Sequence, residues 1–162
     1  CPQHVFLWLT KRGGRMAEYT QDDPPPPNVW CGISASSGLT AFAALRRLID
    51  VRAAVRWLSL EPLLTHVDLS RASTSCVAWD ESVDWVVIGA ESGPKRRPCD
   101  IEWARRLVRQ CQESGVAVFV KQLDLDGRLS RDMSEWPKDL RVREYPAAIR
   151  HTLSPPGEPG DR

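Results

Sequence analysis

A chain of 162 residues is long enough for one domain with its own core. Hydrophobic residues make up 42% and charged residues 27%, the balance of a soluble globular protein, which excludes a disordered polyelectrolyte. The net charge of +1 excludes an extensive nucleic-acid surface, and no apolar run approaches the ~20 residues of a membrane span, so a cytoplasmic protein without membrane contact is expected.

The sequence starts at Cys1 and enters an apolar stretch at once. Residues 4–9 are predicted to form the first strand, and residues 13–20 a short helix. Four consecutive prolines, Pro24–Pro27, then impose a stiff, extended link. Residues 29–34 form the second predicted strand. Residues 39–52 carry a helical period with Phe42, Leu45 and Ile49 inward and Arg46, Arg47 and Asp50 outward. Residues 55–60 and 84–90 are the third and fourth strands, and residues 62–83 between them show no helical period. Asp100 is placed to cap a helix with Ile101, Ala104, Leu107, Val108 and Cys111 on its inner face, and Gly115 to stop it. Residues 116–120 are the fifth strand.

Most of these strands are nearly continuous apolar runs, which is how parallel strands covered on both faces read. The predicted fold is therefore α/β, five parallel strands with crossover helices, arranged as an incomplete (β/α) barrel; no GxGxxG follows any strand to mark a dinucleotide-binding sheet. Residues 1–122 are assigned to the barrel, 123–153 to an irregular extension and 154–162 to a disordered tail. The tryptophans at 8, 30, 57 and 85 are expected to be packing residues rather than a stacking platform. The first strand is expected to be an exposed edge that makes the chain marginally stable and prone to associate.

In such folds ligands bind beyond the C-terminal strand ends. The five ends carry Thr10-Lys11-Arg12, Ser34, Glu61-Pro62, Glu91-Ser92-Gly93-Pro94 and Lys121-Gln122. A single charged exit would be an ordinary solvated residue. Five abrupt switches from apolar to polar at the same end point to a pocket. Lys11, Arg12 and Lys121 suit carboxylate or phosphate groups, and Glu61 and Glu91 suit amino or hydroxyl groups; Ser34, Ser92 and Gln122 complete the ligand-binding set. Ser92 lacks a GxSxG elbow, and no residue is assigned a catalytic role. Cys1, Cys31, Cys76, Cys99 and Cys111 include no CxxC pair, and His4, His66 and His151 lie far apart, so no metal site is predicted.

The ordered segments Leu9-Thr10-Lys11-Arg12, Asn28-Val29-Trp30-Cys31-Gly32-Ile33-Ser34, Leu58-Ser59-Leu60-Glu61-Pro62, Asp84 through Pro94 with Arg97-Pro98, and Phe119-Val120-Lys121-Gln122 resemble a phage-associated family of unknown function. Members of that family look like radical S-adenosylmethionine (SAM) barrel proteins with an upstream three-cysteine motif. The resemblance implies a missing N-terminal barrel segment that carries a [4Fe-4S] cluster, with no cofactor held by this chain alone. It also implies that Ser34 meets the SAM ribose and that Lys11 and Arg12 meet its carboxylate or the substrate. Two departures stand out: Ala35-Ser36-Ser37 where the family tends to acidic residues, and Leu123-Asp124 where it tends to Trp-Gly. The alternative expectation is a non-catalytic, phage-encoded module that binds a nucleotide or nucleic-acid end at the same mouth.

Overall fold

The computed structural model describes residue 1 and residues 3–147; the expected tail and His151 lie outside the described residues. The chain alternates strand and helix: β1 (Phe6–Thr10), α1 (Gly13–Asp22), β2 (Val29–Ala35), α2 (Gly38–Leu48), β3 (Arg56–Leu60), β4 (Trp85–Gly89), α3 (Ile101–Glu113), β5 (Ala117–Leu125) and β6 (Arg128–Ser130). The connection from β3 to β4 holds only two 3-10 turns, Leu69–Ala72 and Trp79–Ser82, in keeping with its lack of a helical period.

All six strands lie in one sheet in sequence order, β1 through β6. Neighbours from β1 to β5 are parallel, so the sheet advances one strand at a time without reversing and forms a half-barrel. The expected count of five strands is corrected to six. β5 continues past residue 120 to Leu125, turns at Asp126-Gly127 and returns antiparallel as β6. Both turn residues have positive φ, 50° and 84°, the geometry an Asp-Gly hairpin turn adopts most readily.

Helix termini follow local chemistry. The Asp100 side chain accepts from the Glu102 N–H at 2.9 Å, and Gly115, at φ 70°, follows the last turn of α3. Ser37 and Thr40 form a reciprocal capping box on α2. The inward phase of α2 differs from expectation at one position: Ile49 is 38% exposed, while Leu48 is fully buried beside Leu45. The helix ends at Leu48, so Ile49 falls in the turn that leaves the core.

Two apolar layers hold the sheet. The helix-facing layer joins Cys31, Ile33, Leu58, Leu60, Val86, Ile88, Val118 and Val120 to Leu45, Leu48, Leu107 and Cys111. The opposite, inner face is filled by Trp30, Val55, Trp57, Trp85 and Val87, with Phe119 and Tyr145 against them. Trp85 is the hub, meeting Trp30 edge-on at 5.8 Å, Trp57 at 5.6 Å and Phe119 at 6.0 Å. Its indole N–H donates to the Glu144 carbonyl at 3.0 Å, and that of Trp57 to the Trp30 carbonyl at 3.2 Å. These three tryptophans are packing residues, and the indole N–H groups of Trp57 and Trp85 are satisfied. Trp8 points to the helix side, edge-on to Tyr19. No helix among the described residues is long and apolar enough to cross a membrane.

Candidate functional site

Parallel strands in sequence order place every βα exit at one end of the sheet. β1 delivers Lys11 and Arg12, with the Arg12 N–H donating to Thr10 Oγ1 at 3.0 Å. β2 delivers Ser34 to the start of the α2 capping box. The β3 exit is fastened on both sides: the Leu63 N–H donates to the Gly89 carbonyl and the Leu64 N–H to the Ser36 carbonyl, each at 2.9 Å. Glu61 is thereby held over β4.

Glycine is required beneath it. A Cβ at Gly89 would lie 2.8 Å from Glu61 Oε1, so any larger residue there displaces the carboxylate. Two strands over, a Cβ at Gly32 would lie 2.5 Å from Trp57 Nε1, so the smallest residue lets the indole lie flat on β2. The polar mouth and the aromatic layer thus each depend on one glycine of the inner face.

Two ion pairs shape the mouth. Lys121 Nζ lies 2.9 Å from Glu61 Oε2, with the lysine half exposed. Glu61 Oε1 is buried and has no hydrogen-bond partner among the described residues. Leaving such an oxygen unsatisfied costs ~1–3 kcal/mol, which a bound donor would offset. Glu91 is fully engaged. Its Oε2 accepts from the Arg97 backbone N–H at 2.7 Å and from Nε at 2.8 Å, and its Oε1 accepts from Nη2 at 2.5 Å. The side-chain and backbone hydrogen bonds from Arg97 hold its pKa down at about 2. The pair closes the loop after β4 and fixes the guanidinium.

Between these exits, the N-terminal end of α1 and one face of α2 lies a cleft of about 650 Å³, within the range of small-molecule sites. Of the residues expected at the mouth, Lys11, Arg12, Ser34 and Glu61 line it. Glu91 and Lys121 stand behind it, each fixing a residue of its wall. Ser92 is exposed in the turn before Gly93. Gln122 is buried, its amide donating to the Ala90 carbonyl at 2.6 Å and accepting from Arg131 Nε at 3.0 Å, so it braces β4 against β5. Arg47 and Arg97 also line the cleft, and the sequence reading did not place them there. A signal for Arg47 exists: Thr40, Ala43, Ala44 and Arg47 follow the i, i+3, i+4, i+7 spacing of one helix face, and all four line the cleft.

Residues 1–147 match the family model described as "Protein of unknown function (DUF5131)". The chain belongs to this family. Comparison with curated proteins and with solved structures finds no match. Family membership thus covers all of the described barrel and its mouth.

Proposed function

We propose that the chain forms the later part of a larger (β/α) barrel and that its strand-exit mouth binds a polar small molecule, which in a radical-SAM-like parent is SAM. The observation that carries this reading is the convergence of Lys11, Arg12, Ser34 and Glu61 on one cleft, with Arg97 and Lys121 fixed at its rim. The larger barrel is supported by β1, an edge strand whose two faces are both apolar and exposed.

The described cysteines do not suit a [4Fe-4S] cluster. Cys31, Cys99 and Cys111 are buried, and burial pushes their thiols up to about 11, 11 and 12, away from the thiolate a cluster needs. Cys1 and Cys76 are exposed, and no group of three His, Cys, Asp or Glu side chains converges among the described residues. A cluster belongs to another part of the parent in this proposal.

SAM itself suits the cleft. Lys11 and Arg12 pair with its carboxylate, the Ser34 hydroxyl bonds a ribose hydroxyl, and Glu61 accepts from an amino or hydroxyl group. Lys121 holds Glu61 in place and Glu91 holds Arg97. When bound beside a cluster, SAM supplies one-electron chemistry that no side chain here can supply. Equilibrium dialysis with labelled SAM tests the reading. A Lys11→Ala/Arg12→Ala double variant is expected to bind at least ~10-fold more weakly, the loss of one or two charge-assisted hydrogen bonds. Equal binding by the variant and the parent chain would remove the mouth as the site.

A further inference from the structure

The two walls of the cleft are chemically unlike. On the β4 side every charge has a partner: Glu61 is paired with Lys121, and Arg97 with Glu91. On the α1–α2 side Lys11, Arg12 and Arg47 form no ion pair among the described residues, although all three line the same cleft. The Glu91–Arg97 pair shows what one carboxylate requires in this molecule, a single guanidinium. Three exposed cations without a protein ion pair around one cavity suit a ligand with more negative charge than a carboxylate brings. A phosphate monoester, with up to two charges and three acceptor oxygens, supplies it. Gly13 and Gly14 line the cleft between these cations and add no side chain to it. A Cβ at Gly13 would meet Ile33 and Arg47, whereas one at Gly14 would meet nothing within 4 Å, so packing does not require the second glycine.

Across the cavity the single unsatisfied group has the opposite character. Glu61 Oε1 is buried and has no partner among the described residues, while Lys121 engages the other oxygen. A ligand that reaches both walls therefore carries an anion at one end and a hydrogen-bond donor at the other.

We propose that the cleft takes a phosphate monoester of a hydroxylated small molecule, with the phosphate among Lys11, Arg12 and Arg47 and a hydroxyl on the Glu61 carboxylate, which turns Oε1 from its buried position over Gly89 to accept it. This rests on the mouth being a binding site, and it does not require that SAM be the ligand. The volume of about 650 Å³ admits a sugar phosphate or a nucleoside monophosphate.

Calorimetric titration of the 162-residue chain with ribose 5-phosphate and with pentyl phosphate tests it, since only the first carries hydroxyls. Ribose 5-phosphate is expected to bind about tenfold more tightly than pentyl phosphate, the worth of one charge-assisted hydrogen bond. Arg47→Ala should weaken both about tenfold. Glu61→Gln should remove most of the preference between them. Arg109→Ala removes an exposed cation from α3, outside the cleft, and should change neither. Thermal unfolding of each variant establishes that it is folded. Equal affinity for the two phosphates, or equal losses in the Arg47 and Arg109 variants, would overturn the proposal. Binding of SAM with no binding of either phosphate would overturn it and leave the mouth as a site. Failure of all three ligands would overturn both.

Discussion

The half-barrel has two edges, and they are finished in opposite ways. At the β5 edge every stretch of backbone is occupied. β6 pairs with residues 123–125, and the segment after a 3-10 turn at Lys138–Leu140 bridges β5 antiparallel, Arg143 to Phe119. There the Val120 N–H donates to the Val142 carbonyl and the Glu144 N–H to the Val118 carbonyl, each at 2.9 Å. Trp136 plugs this side, fully buried, with its indole N–H on Ser130 Oγ at 3.1 Å and the Arg143 guanidinium over its ring. At the β1 edge nothing is added. Phe6, Leu7, Trp8 and Leu9 are 47%, 51%, 37% and 42% exposed, and among the described residues no segment pairs with the outer side of the strand. Natural sheets blunt a free edge with charges, bulges or a covering segment. This chain does so at one edge only, and it leaves apolar side chains on both faces of the other. The difference lies in the side chains: β1, although an edge strand, is apolar and exposed on both faces. The mouth inherits the asymmetry, since Glu61, Arg97 and Lys121 rest on the finished side and Lys11 and Arg12 on the unfinished one.

The largest expected effect comes from breaking the finished edge. Trp136→Ala removes a fully buried indole and should cost ~3–5 kcal/mol by chemical denaturation; a loss under ~1 kcal/mol would mean that β6 and the terminal segment contribute little. Gly127→Ala acts on the same edge through the hairpin turn. At φ 84° an alanine is strained, and a loss of ~1–2 kcal/mol is expected from the same measurement. At the unfinished edge, Leu7→Lys and Leu9→Lys should change stability by no more than ~0.5–1 kcal/mol, as for other exposed sites. They should instead lower concentration-dependent association in size-exclusion chromatography. A parent chain that is monomeric at every concentration, with Leu7 and Leu9 variants as unstable as a core variant, would show that the edge is covered.

Two finer measurements sharpen the contrast. Thiol reaction with a disulfide reagent should modify Cys1 and Cys76 at once. Among the buried thiols Cys31, on the strand next to β1, should follow before Cys111 on α3, which packs against β5; the reverse order would place the weak side elsewhere. The smallest effect is a pH response on the finished side. Arg97 holds the folded-state pKa of Glu91 at about 2, below its ordinary value of 4.5. Its contribution is complete above pH ~4.5 and is lost as pH falls toward 2. A carboxyl carbon shift for Glu91 that titrates near 4.5 would contradict the Arg97 contacts.

Much of this arrangement is legible in the residues. Apolar runs at β2 to β4 announce strands covered on both sides, Asp100 and Gly115 mark the ends of α3, and the shared switch to polar residues brings Lys11, Ser34, Glu61 and Lys121 to one end. The finished edge is not legible by the same means. β6 has three residues, too few for any period, and its only signal is Asp126-Gly127 between Leu125 and Leu129. The isolated bridge of Arg143 to Phe119 is a tertiary pairing with no local pattern. Arg47 reads as a solvated helix residue until the cleft beside α2 is known. Gln122 is buried because β5 runs on to Leu125, past the switch to polar residues at Lys121 that reads as the strand's end.

The central claim is that the C-terminal strand ends, and no other surface, form the ligand site. Amide chemical shifts of labelled protein titrated with SAM test it most directly. Shifts should concentrate at Thr10–Gly14, at Ser34–Ser36 and around Glu61 and Arg97, and leave residues 54–56 and 114–117 at the opposite end of the sheet in place. Saturable shifts confined to that opposite end, or none at millimolar SAM and none at millimolar ribose 5-phosphate, would contradict the account.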